Sequence, residues 1–178
     1  MSLYLESAKG LAIVLAPIVG LILLRHRVGP LNTAAALVVY GALFPLGEHA
    51  GWTFFYVFGG TDDSGVFWTP HARVHAFMAA VYAVIGLVLL AVVALRLLRT
   101  GSRLAWGMLL YAFIAGGSIE VIMNGPAGLL FQHTTPPNTN AGANLLWTYV
   151  IAWGVALVIS WKPIFQRVPE RSSEFSTP

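Results

Sequence analysis

The sequence predicts an all-α, polytopic transmembrane helix bundle of five spans, with its N-terminus outside and its C-terminus inside. Three observations predict it. Of 178 residues, 57% are hydrophobic and 10% charged, against roughly 25% charged in an ordinary soluble domain. Five apolar stretches approach the ~20 residues needed to cross a hydrocarbon core about 30 Å thick. Lysine and arginine concentrate at every other connection between those stretches, and so on one side, as the positive-inside bias requires.

The first stretch runs about Ala8–Leu24. Glu6 precedes it, no small-x-small cleavage site follows, and Arg25-His26-Arg27 stops it, so it reads as a retained span and not a signal peptide. The second begins at Leu31. Leu31–Leu46 is 16 residues, short for a crossing, and is followed by Gly47-Glu48-His49 and then Trp52, Phe54, Phe55, Tyr56, Val57 and Phe58. Either one helix continues through Glu48 and His49, kinked at Pro45, or a short span ends there and an interfacial aromatic segment follows; the first reading is preferred. The third stretch is His75–Leu98, with Pro70 at the helix start and Thr69 as N-cap. The fourth is about Leu104–Met123 and the fifth Asn144–Trp161. Gly60–Pro70 and Gln132–Ala143 form the longer outer loops. Residues 1–163 thus make one five-helix domain, and 164–178 a cytoplasmic tail expected to be disordered.

With the N-terminus outside, Arg25, Arg27, Arg96, Arg99, Arg103, Lys162, Arg167 and Arg171 fall inside, and only Lys9 and Arg73 outside. A four-span chain would break this alternation. The basic residues gather at helix ends and form no stripe, so the net charge of +3 does not point to nucleic acid. Absence of cysteine excludes thiol catalysis, disulfides and cysteine-ligated metals. A bacterial inner membrane is the expected location. Homo-oligomerisation is compatible with the sequence but not specified by it.

The polar residues gather on the outer side. Glu6, Glu48, Asp62, Asp63 and Glu120 fall there, as do His49, His71, His75 and His133. Glu48 is 17 residues past Leu31 and Glu120 is 16 past Leu104, about 26 and 24 Å along their helices. Ionisable groups at such depth face the bundle interior or a wet cavity, because lipid does not solvate them. Asn124 shares a helix face with Glu120, and His71 shares one with His75. Gly116 and Gly117 allow close packing or leave room for a ligand. Arg73 is expected to reach Asp62 or Asp63. Trp52, Trp68, Trp147 and Tyr149 suit an outer aromatic belt, and Trp106 and Trp161 an inner one.

Trp68-Thr69-Pro70-His71-Ala72-Arg73-Val74-His75 resembles a W-x-P-H-A-[K/R]-x-H motif at a helix start in a family of small, uncharacterised integral membrane proteins. The resemblance covers eight residues, implies no activity, and singles out Trp68, His71, Arg73 and His75 as a unit. In outline the architecture is also similar to the emopamil-binding family of sterol isomerases and to small membrane terpene cyclases.

Three functions follow as expectations. The leading one is a membrane enzyme acting on a lipophilic, isoprenoid- or sterol-like substrate, an isomerase or cyclase working by acid–base chemistry without a cofactor. Glu120 would donate a proton, Glu48 or His75 accept one, and Asn124 orient the substrate. His49, Trp52, Phe55, Trp68, Arg73 and Trp147 would line its site, the aromatic faces stabilising a carbocation. The alternative is a divalent metal or haem held by His71, His75, His49 and His133. The third is a non-catalytic binding or transport protein, although the absence of an internal repeat argues against a conventional transporter.

Overall fold

The computed structural model describes residues 2–58, 70–124 and 140–166, and these are almost entirely helical, with no strand among them. Five long helices follow one another: α1 (Ser2–Val28), α2 (Pro30–Phe58), α3 (Pro70–Arg96), α4 (Arg103–Asn124) and α5 (Asn140–Phe165). A 3₁₀ turn, Leu98–Thr100, lies between α3 and α4. Three of these helices contain stretches long and apolar enough to cross a membrane: Pro30–Gly47, Arg73–Thr100 and Thr148–Phe165. The protein is therefore membrane-associated by its helices. A shorter apolar run, Arg103–Gly116, lies in α4.

Two tight reversals set the topology. Gly29 alone joins α1 to α2, at φ 85°, a left-handed conformation that glycine adopts without strain. Its N–H bonds the Arg25 carbonyl at 2.9 Å, closing α1, while Pro30 opens α2 with its preset φ. Two side chains of the first turn of α2 reach back across the link: Asn32 Nδ2 donates to Val28 O at 2.7 Å and Thr33 Oγ1 to Gly29 O at 2.9 Å. At the second reversal Gly101, at φ 80°, donates to Leu98 O, and Ser102 N–H donates to Leu97 O. The Ser102 hydroxyl then accepts from Ala105 N–H at 3.2 Å and caps α4.

The two reversals meet, because Arg99 Nε donates to Asn32 Oδ1 at 2.8 Å. The C-terminus of α5 lies at this end as well: Arg103 sits over the Phe165 ring at 5.6 Å, and Trp106 packs edge-on against Trp161 and Phe165. Arg25, Arg27, Arg96, Arg99, Arg103 and Lys162 thus share one end of the bundle, and the helices alternate in direction.

Helix α2 is central. It packs on α1, α3 and α5, while α5 also receives α1 and α4. Small residues line the seam: Ala34, Ala35, Gly41 and Ala42 on α2 and Ala152 and Ala156 on α5 are buried. In a membrane such residues matter because close backbone approach supplies the dispersion contact that drives helices together. Trp153, 1% exposed, fills the middle of the seam.

Large apolar residues, instead of small ones, face outward. On α3 Val74, Met78, Tyr82, Ile85, Leu89, Val92 and Leu95 recur every three or four residues and are all exposed, as are Leu104, Met108, Tyr111 and Ile114 on α4. Water would penalise these apolar stripes, whereas acyl chains solvate them.

Several sequence expectations are refined. Helix α2 runs without interruption through Pro45, Glu48 and His49 to Phe58, and its stretch apolar enough to cross a membrane is Pro30–Gly47. Pro70 opens α3 as expected. Helix α5 begins at Asn140, inside the expected loop, and ends at Phe165, where Ile164 is buried and Phe165 packs on Trp106. Tyr149 is buried and does not belong to an outer aromatic belt: its hydroxyl donates to Ala112 O at 3.4 Å and its ring packs on Trp153. Residues 164–166 excepted, the tail lies outside the described residues.

Candidate functional site

The expected site residues that fall in the described helices lie at the end of the bundle opposite Arg25, Arg96, Arg99 and Arg103. Glu48, His49, Trp52 and Phe55 are on the last three turns of α2, and His71, Arg73 and His75 on the first two of α3. Glu120 and Asn124 close α4, and Trp147 lies in the second turn of α5. Side chains are described here only for Arg73 and His75. Those of Glu48, His49, Trp52, Phe55, His71, Glu120, Asn124 and Trp147 lie outside the described residues, as do Trp68 and His133 altogether.

Helix register fixes heights even so. Glu48 is 16 residues beyond Asn32 and Glu120 is 17 beyond Arg103, so both backbones stand about 25 Å from the basic end. The middle of the bundle gives a similar result. Gly41 abuts Trp153, and Gly116 abuts the hydroxyl of Tyr149, one turn along α5. Counting outward from the level of Trp153, Glu48 lies about 10 Å away and Glu120 about 12 Å. His75 is 21 residues from Arg96, about 31 Å, and stands higher than either carboxylate.

The neighbours constrain what these groups can share. Among the described residues α2 and α4 make no direct packing contact, because α5 lies between them. Helices α3 and α4 share the 3₁₀ turn but pack on different partners, α3 on α2 and α4 on α5, and scarcely on each other. A molecule reaching both Glu48 and Glu120 would lie against the outer part of α5.

Arg73 is half-buried, and its Nε is shielded from solvent with no hydrogen-bond partner among the described residues. A buried guanidinium donor without an acceptor costs about 1–3 kcal/mol, more for a charged group, until something accepts from it. The expected ion pair with Asp62 or Asp63 falls on residues outside the described ones. Gly116 resolves to close packing, since a Cβ there would lie 3.0 Å from the Tyr149 hydroxyl. Among the described residues no three His, Asp or Glu side chains gather, and three of the four histidines expected to hold a metal fall outside that set.

One polar grouping was missed by sequence reasoning. Asn32, Arg96, Arg99 and Thr100, with Leu95, surround a pocket at the basic end, where the sequence pattern shows the arginines only as orienting charges. The available signal was Asn32 itself, an amide in the first turn of an apolar span directly after Gly-Pro.

Comparisons with known proteins return no matching family model, no matching curated protein and no matching solved structure.

Proposed function

We propose that this chain is a five-span inner-membrane enzyme, with its N-terminus outside, that isomerises or cyclises a lipophilic, isoprenoid- or sterol-like substrate by acid–base chemistry at the outer end of the bundle. The observation that carries the reading is the common height of Glu48 and Glu120 on helices that flank α5. Two carboxyl groups at one depth can divide the labour when their environments differ. The more desolvated one keeps its proton and donates it, and the other stays ionised and accepts.

Glu120 is the donor in this proposal and Glu48 the acceptor. His75, about 6 Å further out, is the less favoured acceptor. Asn124, one turn beyond Glu120, orients the substrate. The separation of α3 from α4 gives an apolar molecule a lateral way in from the bilayer, and Arg73 offers its Nε–H to a polar group on the substrate. Trp52, Phe55 and Trp147 supply aromatic faces to a developing carbocation.

The test is a comparison of neutral-lipid profiles from a bacterial host expressing the wild type, Glu120→Gln or Glu48→Gln at matched membrane levels. A new isomeric or cyclised product made by the wild type alone supports the reading. Identical profiles in all three sink it. Elemental analysis and an absorption spectrum of the purified protein and of His71→Ala/His75→Ala address the rival: stoichiometric metal or a haem band lost in that variant would replace acid–base chemistry with a metal centre.

A further inference from the structure

The basic end of the bundle holds an open pocket of about 550 Å³, lined by Asn32, Leu95, Arg96, Arg99 and Thr100. That volume falls within the range of small-molecule sites. Two of its five lining residues are arginines three positions apart, brought together because α3 ends at Arg96 and the chain tightens into a 3₁₀ turn carrying Arg99.

Arg99 is not left to wander. Its Nε donates to Asn32 Oδ1 at 2.8 Å, and Asn32 is itself fixed because its Nδ2 donates to Val28 O at 2.7 Å. This arrangement spends one guanidinium donor on positioning and leaves the two Nη groups for another acceptor. A planar guanidinium held this way suits a phosphate, which takes paired N–H bonds. The first turn of α2, which carries Asn32, adds the positive end of a helix dipole.

The surface running away from the pocket toward the middle of the bundle is apolar. Leu95 lines the pocket and is exposed, and Val92 and Val88 continue the same face of α3, both about half exposed. A ligand with a phosphate at one end and a hydrocarbon chain at the other matches both parts, whereas free phosphate matches only the first.

We propose that this pocket binds the headgroup phosphate of an anionic phospholipid, with an acyl chain lying along Leu95, Val92 and Val88. Basic pockets between helices on the cytoplasmic side of membrane proteins hold such headgroups. The site is independent of the acid–base proposal and lies at the other end of the molecule.

The experiment is native mass spectrometry of the full chain in detergent, titrated with phosphatidylglycerol, phosphatidylcholine or inorganic phosphate. Wild type is expected to retain phosphatidylglycerol in preference to phosphatidylcholine. Arg99→Gln should cut that preference roughly fivefold, and Arg96→Gln/Arg99→Gln should abolish it. Arg25→Gln/Arg27→Gln removes the same charge from the same end but lines no part of the pocket, and should keep the preference. Asn32→Ala should weaken phosphatidylglycerol binding with both arginines present. Equal retention of the two lipids by wild type overturns the proposal. So does loss of preference in the Arg25/Arg27 variant to the same degree, which would mean diffuse charge attraction. Saturable binding of inorganic phosphate without phosphatidylglycerol would make the pocket a free-phosphate site and would also overturn it. Helical circular dichroism of each variant shows whether a loss reflects unfolding, and Asn32→Ala, which removes no charge, keeps the inference open to refutation if the double variant does not fold.

Discussion

The indole N–H of Trp153 on α5 donates to the main-chain carbonyl of Val38 on α2 at 2.8 Å, and the same ring covers Gly41 one turn further along α2. A Cβ at Gly41 would stand 2.7 Å from Trp153 Cδ1 and 3.0 Å from both Trp153 Nε1 and the Ala152 Cβ. The central seam therefore closes around the absence of a side chain. Gly41→Ala is expected to cost about 1–3 kcal/mol, read as a lower midpoint of unfolding in mixed detergent–SDS titrations. Unchanged stability would mean that the α2–α5 contact is looser than described.

Gly86 and Gly107 make the matching control. A Cβ at either meets nothing within 4 Å, so only helix propensity is at issue. Alanine at each should leave stability unchanged or raise it by up to about 1 kcal/mol in the same titration.

Trp153→Phe retains an aromatic ring but removes the donor to Val38. Val38 O loses that bond within the buried α2–α5 seam, and the expected cost is about 0.5–1.5 kcal/mol from that bond alone. A larger loss in Trp153→Ala than in Trp153→Phe would separate ring packing from the hydrogen bond.

The link at Gly29 tests the first reversal. Gly29→Ala places a Cβ on a residue at φ 85° and should destabilise by about 1–2 kcal/mol, while Gly29→Asn should recover part of the loss because asparagine tolerates that conformation. Equal behaviour of the two variants would show that the link relaxes out of the left-handed region.

Because the chain contains no cysteine, single cysteines report orientation without background. Thr100→Cys, exposed at the basic end, should react with a membrane-impermeant maleimide only after the inner face is opened. Asp62→Cys should react in intact cells. Labelling of both from the same side would refute the alternating five-span topology.

The acid–base proposal carries its own magnitude. Once a product is identified, Glu120→Gln should slow its formation by about 10²–10⁴-fold, the contribution typical of a positioned general acid. A variant that still turns over at wild-type rate would remove Glu120 from the mechanism.

Much of the fold was legible in the residues, for identifiable reasons. Apolar stretches mark helices in a membrane protein because no other open structure satisfies the backbone there, whereas the left-handed reversals at Gly29 and Gly101 came only from the structure. The continuation of α2 through Glu48 and His49 was legible as the preferred reading, but hydropathy falls at that point and could not extend the span by itself. Tyr149 was misassigned because an amphipathic ring near a helix end suits either an interface or a carbonyl partner. Only the neighbouring Ala112 carbonyl decides between them.

The sequence by itself determined the helical membrane class of the protein, the end that gathers arginine and the register heights of Glu48 and Glu120 along their helices, because each depends on one helix at a time. The tertiary structure decided which helix is central, that α5 stands between α2 and α4, that Trp153 fills the space at Gly41, and that Asn32 holds Arg99 beside Arg96. These are relations between helices. A periodic apolar stripe records only that a face is covered by something apolar, and lipid and a neighbouring helix leave the same pattern.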